Sequence, residues 1–333
     1  MFNAAIEAGF LFARQHKTGR SGNPPVLYFK TFATASEFIR KILATEQQDQ
    51  IDHFKEGLEN LREKDPSDYT YTLASGILFA AQGAWAVAAI LGERALGIAR
   101  VIEGKDNITG REAYYLQAVA RRHQIRKVAD LADIGLLLKK AEECLQKERK
   151  TRDDLLEGDF RFAAEQVALN VSYRLFERFS KEEIPDTVPS LEKIESTLIE
   201  LLDKNFAGLS FEDDSRRWVA RNVERRLLIN LFMVVLLQGD RTQPFPQALE
   251  PYFERFKLSI ESKVDEEPIP RTFFDDTVYL VTCWWKETEF TEKKKLRSKV
   301  QSKLRDEEIE RNTVIPYDKS RFRYLRNFVR ADQ

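Results

Sequence analysis

Histidines supply much of the catalytic and metal-binding chemistry of proteins, and this sequence has only three of them: His16, His53 and His123. None has a second His or a Cys at the spacing of a metal site. His123 lies in the motif RRHQ, which we interpret as a polar helix face. No phosphate-binding loop, dinucleotide-binding motif or nucleophile elbow occurs. The sequence therefore predicts no metal site, no cofactor and no enzymatic activity.

Cys283 and the Asp275-Asp276 pair are the other residues whose types could do chemistry. Cys283 lies in VTCWW, and a nucleophilic thiol needs a base and an accessible, electropositive environment. Two adjoining Trp residues indicate a packed apolar face instead. Neighbouring carboxylates on a helix point about 100° apart and rarely share a proton or a metal, so we interpret the Asp pair as favourable charge at a helix N-terminus.

Arg217, Arg221 and Arg225 recur every four residues and therefore share one helical face. Like charges at this spacing destabilise a helix slightly. Ion pairs with neighbours such as Asp213 would compensate for this repulsion, and so would an anionic ligand such as a phosphate or an acidic peptide. Both interpretations remain open at this point.

The C-terminal segment interleaves basic and aromatic residues, a pattern that suits RNA or single-stranded DNA because cations hold phosphates while rings stack on bases. Two alternatives are a terminal helix that docks its rings on the rest of the protein and a surface that binds a protein. The residues concerned are Arg321, Phe322, Arg323, Tyr324, Arg326, Phe328 and Arg330.

Composition favours long helices. The 333 residues include 43% hydrophobic and 32% charged side chains, with only 14 Gly and 11 Pro, and a protein rich in sheets needs more turns. The net charge of -1 gives no overall attraction to nucleic acid or anionic membranes. Basic residues nevertheless outnumber acidic ones from Lys293 to Gln333, so the rest of the chain is acidic.

Two features bear on location. The two cysteines, Cys144 and Cys283, are far apart, which is consistent with a reducing cytoplasm. Residues 69–92 carry no charge and are long enough to span a bilayer, which takes about 20 residues. They are rich in Ala, Gly, Ser and Thr and contain Gln82-Gly83 at their centre, so we predict a buried helical hairpin and a cytoplasmic protein with no membrane segment.

Apolar periodicity and Gly or Pro breaks predict a series of helices joined by short connections, which makes neighbours antiparallel. A Pro-marked linker at 184–189 predicts two regions, 1–183 and 190–333. The predicted helices are 68–81, 84–103, 110–125, 127–149, 152–180, 190–205, 212–238, 246–263, 271–289, 290–311 and 318–330.

A hairpin pattern occurs in residues 69–103, where successive positions are separated by 3, 4, 5 and 7 residues: Gly76, Phe79, Gly83, Ala88 and Ala95. This pattern resembles the tetratricopeptide repeat, in which small residues let two antiparallel helices approach closely and an aromatic ring fills the gap beside them. Thr72 and Arg100 depart from the Trp and Pro usual in that repeat, and a second copy begins at Ala113, so the resemblance covers about 69–147.

The resemblance implies an all-α fold of antiparallel hairpins stacked as an α-solenoid, followed here by a C-terminal helical bundle. It also implies a non-enzymatic scaffold or adaptor that binds a protein or peptide in a helical-repeat groove. One alternative is a nucleic-acid-binding or regulatory subunit that uses the Arg217 stripe and the basic tail. Another is an enzyme whose active site needs carboxylates or histidines clustered across helices.

Overall fold

Helices form nearly all of the regular structure. The computed structural model describes residues 69–81, 84–103, 110–125, 131–150, 160–178, 180, 184–206, 214–239, 243–261, 273–305, 308–309 and 316–330. In those ranges there are eleven α-helices, one 3₁₀-helix and no strand. The prediction of an all-α protein is confirmed, whereas the stacking of its hairpins into a solenoid stays a prediction.

The helices are numbered in chain order. They are α1 (Tyr69–Ala81), α2 (Trp85–Glu103), α3 (Gly110–Gln124), α4 (Leu131–Lys150), α5 (Phe160–Glu177), α6 (Leu191–Phe206), α7 (Asp214–Gln238), α8 (Glu250–Glu261), α9 (Phe273–Lys286), α10 (Phe290–Lys303) and α11 (Pro316–Arg330). The 3₁₀-helix Gln247–Leu249 leads directly into α8.

Local sequence explains where several helices begin and end. The Glu289 carboxylate caps α10 by accepting hydrogen bonds from the backbone N–H groups of Thr291 and Glu292. The same helix ends at Lys303, earlier than the predicted 311, because Leu304 leaves the helical conformation with its N–H still bonded to the Val300 carbonyl. Pro316 occupies the first position of α11, where its missing N–H costs nothing.

The uncharged segment folds back on itself as the sequence predicts. Its two helices, α1 and α2, pack along each other and are separated by only three residues. The Ala84 N–H donates to the Phe79 carbonyl at 2.9 Å, which ties the connection to the end of α1. At 13 residues, α1 is also too short to cross a bilayer.

Helix α3 completes a three-helix layer by packing on α2 and, more lightly, on α1. The interface between α2 and α3 is close because Gly92 leaves room for Gln117, whose Cγ would lie 2.9 Å from a methyl group built on Gly92. Most of the side chains buried in this layer are Ala, Leu, Ile or Val, among them Leu73, Ala88, Ala99, Ala113 and Val119. Small residues thus allow three helices to approach closely.

The described helices divide into two compact units. Unit 1 holds α1, α2, α3 and most of α4, and unit 2 holds α6, α8 to α11 and most of α5 and α7. The units are defined by packing, and each is made of several separate stretches of the chain. The expected boundary at 184–189 therefore stays a prediction.

Aromatic rings fill the core of unit 2. The Phe232 and Phe256 rings stack with centroids 5.2 Å apart, and Tyr279 meets Phe256 edge to face at 5.5 Å. Trp285 donates its indole N–H to the Gln243 carbonyl at 3.0 Å. Rings at these separations attract each other beyond the area that they bury, so α7, α8 and α9 share one tightly packed core.

Candidate partner-binding surfaces

The small residues of the first hairpin lie where its helices approach most closely. Ala88 and Ala95 have no solvent-accessible surface. A methyl group built on Gly76 would lie 2.6 Å from Leu116 Cδ2 and 3.2 Å from Leu91 Cβ. Phe79 is half-buried beside them, and Gly83 lies outside the described residues. The structure therefore brings Gly76, Ala88 and Ala95 into the packed layer.

Helix α2 also carries apolar residues on the face that no described helix covers. Ile90 is 66% exposed and Val101 87% exposed. Between them lies Gly97, where a built methyl group would meet nothing within 4 Å. Ala86, also exposed, falls on the same stripe at 100° per residue. We call Ala86, Ile90, Gly97 and Val101 the α2 seam.

Charged side chains border the α2 seam on both sides. Glu93 lies on one border and forms an ion pair with Arg121 of α3 at 3.9 Å. On the same border the Arg100 guanidinium donates to the Tyr114 hydroxyl at 2.8 Å. The exposed side chain of Arg94 lies on the other border. An apolar centre with a charged rim is the usual anatomy of a protein interface.

An aromatic stack closes one end of the interface between α2 and α3. The Trp85 indole and the His123 imidazole lie almost parallel, with centroids 4.2 Å apart, and the Arg122 guanidinium lies 3.3 Å from His123 Nε2. His123 is half-buried. It therefore packs against α2. The motif RRHQ indicates a solvated helix face, and the structure differs from that indication.

The Arg217 stripe lies on α7, as its spacing predicts. Arg225 is buried with only 3% of its surface exposed, in a helix that is buried almost continuously from Leu227 to Leu237. The side chains of Arg217 and Arg221 lie outside the described residues. At its third position, the stripe is therefore part of the interior and not of a solvent-facing surface.

The basic-aromatic tail forms α11, and its rings point into unit 2. Phe322 meets the rings of Phe273 and Phe274 at 5.1 and 5.7 Å, and Phe328 meets Trp284 and Trp285 at 6.3 and 5.6 Å. The described contacts thus show that these aromatic rings dock on α9 of unit 2. The two rings are buried and are not presented to a base in solvent.

The polar residues of the tail divide between the interior and the surface. The Arg321 guanidinium is buried 3.9 Å from the centroid of the Phe274 ring. The Tyr324 hydroxyl donates to the Leu236 carbonyl at 2.7 Å, and burial raises the pKa of Tyr324. Arg323 and Arg330 are exposed, and Arg326 is half-buried. The exposed charged side chains that the structure describes on α11 are therefore cationic.

Helix α10 adds to this basic surface, and the sequence analysis did not single out its residues. Lys294 and Lys299 are exposed, as is Arg305 just beyond the helix. Phe290, the first residue of α10, is 80% exposed. In the sequence, the run of three lysines from Lys293 is the pattern that could have indicated this surface. Only the folded helix shows which cations are exposed.

The other residues whose types could do chemistry, the Asp275-Asp276 pair and Cys283, lie in surroundings that fit a structural role. Asp275 and Asp276 lie in the first turn of α9, as predicted, and Asp276 faces Lys303 Nζ at 3.5 Å. Cys283 is half-buried next to the buried Trp284 and Trp285. Among the described side chains, no group of three or more His, Cys, Asp and Glu residues is placed to hold a metal ion.

In the described ranges, no helix combines the length and the apolar character needed to cross a bilayer. The chain matches no protein-family model, no curated protein and no solved structure. The resemblance to the tetratricopeptide repeat therefore rests on the sequence pattern of residues 69–147 alone.

Proposed function

We propose that the protein is a non-enzymatic scaffold, built on a tetratricopeptide-like hairpin, that binds a helix of a partner protein along the α2 seam. The observation that carries this proposal is the glycine at the centre of an exposed apolar stripe. Gly in a helix interior costs about 1 kcal/mol relative to Ala, and no described atom of this chain requires its small size at Gly97. A helix that crosses close to the α2 backbone would require it.

The flanking residues support the same partner chemistry. Ile90 and Val101 lie seven and four residues from Gly97, which places them on both sides of it along one stripe. An amphipathic helix buries its apolar face on such a stripe through residues spaced three and four apart. Burial of a fully exposed Ile or Val contributes roughly 1.5–3 kcal/mol. Ile90 and Val101 can therefore contribute part of the binding energy of a helix, and Glu93 and Arg94 lie where charges at the rim of that helix can pair with them.

Site-specific photo-cross-linking in the native source tests this proposal. A photoreactive residue at position 90 should capture one protein in stoichiometric amounts. The same residue at position 258 should not capture it, because Leu258 is 65% exposed on α8 of the other unit but has no comparable seam. Gly97→Leu should abolish capture at position 90, because its side chain fills the crossing point, where a Cβ meets no described atom of this chain within 4 Å.

Two results would contradict the proposal. Identical cross-linked proteins at positions 90 and 258 would show that exposure alone explains the capture. Undiminished capture in the Gly97→Leu variant would show that nothing crosses α2 at that point. A cross-linked product made of two copies of this chain would show that the partner along the α2 seam is a second copy of this chain.

A further inference from the structure

Charge is concentrated in two helices of unit 2. Helices α10 and α11 themselves carry only two acidic side chains, Glu292 and Asp318, while Glu287 and Glu289 precede α10 and Glu308 lies between the two helices. Against these stand Lys293, Lys294, Lys295, Arg297, Lys299, Lys303, Arg305, Lys319, Arg321, Arg323, Arg326 and Arg330. Because the whole chain has a net charge of -1, the basic residues are segregated here against an acidic background. Such segregation is the electrostatic footprint of a polyanion-binding surface.

Several of these cations are used inside the protein. Lys303 approaches Asp276 and lies 4.8 Å from the centroid of the Phe273 ring. Lys293 lies 5.5 Å from the Trp284 ring, and Lys295 pairs with Glu292. Lys303 and Lys293 thus hold α10 against α9, and Glu292 offsets the charge of Lys295. These three lysines are therefore not part of the binding surface.

Five cations remain directed to solvent: Lys294, Lys299, Arg305, Arg323 and Arg330. We call them the basic face. None forms an ion pair with a carboxylate among the residues that the structure describes. Helices α10 and α11 pack on each other, and both pack on α9, so the five lie on or next to neighbouring helices of unit 2. At about 100° per residue, Lys294 lies beside Phe290 on α10, whereas Lys299 lies on the opposite side of that helix. Arg323 and Arg330 are two helical turns apart on one side of α11.

From this surface we infer that the basic face, together with Phe290, binds single-stranded nucleic acid. Five exposed cations on neighbouring helices can neutralise phosphates of a nucleic-acid backbone. An exposed aromatic ring gives a base a surface on which to stack, whatever its identity. Phe290 is the only aromatic residue among the large apolar side chains exposed in the described ranges. It supplies the stacking surface that the buried rings of α11 do not.

The same residues fit other anionic partners less well. A membrane-surface helix inserts an apolar face into the bilayer, but the apolar residues of α10 and α11 (Val300, Phe322, Leu325, Phe328 and Val329) are buried in unit 2. One exposed ring is all that remains for insertion. A duplex covers its base faces by stacking, so it would leave Phe290 without a contact. An acidic peptide likewise offers no base to this ring.

Fluorescence anisotropy with the full chain tests the inference. The probes are labelled r(U)₂₀ and d(T)₂₀, and binding to either supports it, with the tighter one identifying the preferred sugar. If all five cations contact phosphates, raising the salt from 50 to 200 mM should weaken binding about 100-fold. Replacement of Lys294, Lys299, Arg323 and Arg330 by Gln should weaken binding by about 100-fold or more at low salt and flatten the salt dependence.

A matched control separates a defined face from net charge. Lys139, Lys140, Lys193 and Lys204 are exposed on α4 and α6, and their replacement by Gln changes the net charge by the same amount. That variant should retain most of the affinity. Phe290→Ala should weaken binding about 10-fold through loss of stacking, whereas Leu258→Ala, at an equally apolar exposed site, should not. The singly substituted Arg323→Gln provides a mild variant if the fourfold change impairs folding.

Four results would overturn the inference. They are no binding to either strand at 50 mM salt, equal losses in the basic-face and control variants, affinity for a 20-base-pair duplex or for poly-glutamate that matches the strands, and stronger binding to phosphatidylserine vesicles than to nucleic acid. Circular dichroism of each variant, with unchanged helicity and melting, confirms that a loss arises from the surface.

Discussion

Gly76 of α1 and Leu116 of α3 meet where these helices cross, so closely that a methyl group on Gly76 would lie 2.6 Å from Leu116 Cδ2. Leu116 is itself buried, and Leu91 Cβ of α2 would lie 3.2 Å from the same methyl group. The absence of a side chain at position 76 therefore allows the helices to approach this closely. Gly97 of α2 is the opposite case, because a methyl group built on Gly97 would have no described atom within 4 Å.

These two glycines predict substitutions of opposite sign. Gly97→Ala should raise the free energy of unfolding of unit 1 by about 0.5–1 kcal/mol, because Ala is the better helix former. Gly76→Ala gains the same propensity but overpacks the crossing, which costs roughly 1–3 kcal/mol, so we expect net destabilisation of about 1 kcal/mol. Urea unfolding followed by circular dichroism measures both. Equal effects of the two variants would contradict the close approach at Gly76.

Tyr252 predicts a pH dependence of stability. Its hydroxyl donates to Asp203 Oδ2 at 2.8 Å. Burial, followed by the hydrogen bond and charge of Asp203, raises the pKa of Tyr252 from 10.0 to about 12. The folded protein thus keeps a proton between pH 10 and 12 that the unfolded chain loses. The contribution of this group to stability is complete below pH 10 and falls as the pH rises to 12.

Replacement of this tyrosine isolates its contribution. The difference in unfolding free energy between the wild type and Tyr252→Phe should be constant below pH 10 and shrink between pH 10 and 12. An ultraviolet difference titration of the two proteins should show one phenol ionising near pH 12. Ionisation of that phenol near pH 10, with no change in the stability difference, would mean that the contact with Asp203 does not form.

The docking of α11 predicts that Phe328 contributes mainly to stability. The ring is buried edge to face against Trp284 and Trp285, so Phe328→Ala should destabilise unit 2 by about 3–5 kcal/mol. Arg323→Gln, on the exposed side of the same helix, should change stability by less than about 0.5 kcal/mol. Tryptophan fluorescence during guanidinium unfolding reports both variants. A negligible effect of Phe328→Ala would show that α11 is not docked through this ring.

Much of the fold could be predicted from the sequence, because apolar periodicity and Gly or Pro breaks locate helices directly. Both helices of the first hairpin begin and end within one residue of their predicted bounds. The surfaces were harder to predict. Apolar residues occupy both the buried and the exposed sides of α2, so the sequence does not distinguish the exposed Ile90 and Val101 from the buried Leu91 and Ala99.

The arginines and aromatic residues show the same limit. Regular spacing correctly placed Arg225 on one face of a helix, but it could not say that this part of α7 is buried. Alternating Arg and Phe in α11 could equally have presented either type of side chain to solvent. Tertiary packing decides between them, and it turned Phe322 and Phe328 inward and left Arg323 exposed. Burial, unlike helix formation, depends on residues distant in sequence.

The two thiols predict different chemical reactivities. Cys144 is buried, and its Sγ lies 4.0 Å from Gln117 Oε1. Burial raises the pKa of Cys144 above its ordinary value of 9.0, although the nearby Arg121 partly opposes this. Disulfide reagents attack the thiolate. Near pH 8 the Cys144 thiol should therefore be both protonated and shielded, whereas Cys283 is half-buried and more accessible.

A kinetic titration with an aromatic disulfide reagent distinguishes the two. In a Cys283→Ser variant, Cys144 should react only as fast as unit 1 opens, and unfolding in guanidinium should release it at once. In a Cys144→Ser variant, Cys283 should react faster under native conditions. Because the folded state favours the protonated Cys144 thiol, its contribution to stability is present below pH 9 and declines as the pH rises further. If Cys144 reacted in the folded protein as quickly as an unfolded cysteine, its burial between α3 and α4 would be wrong.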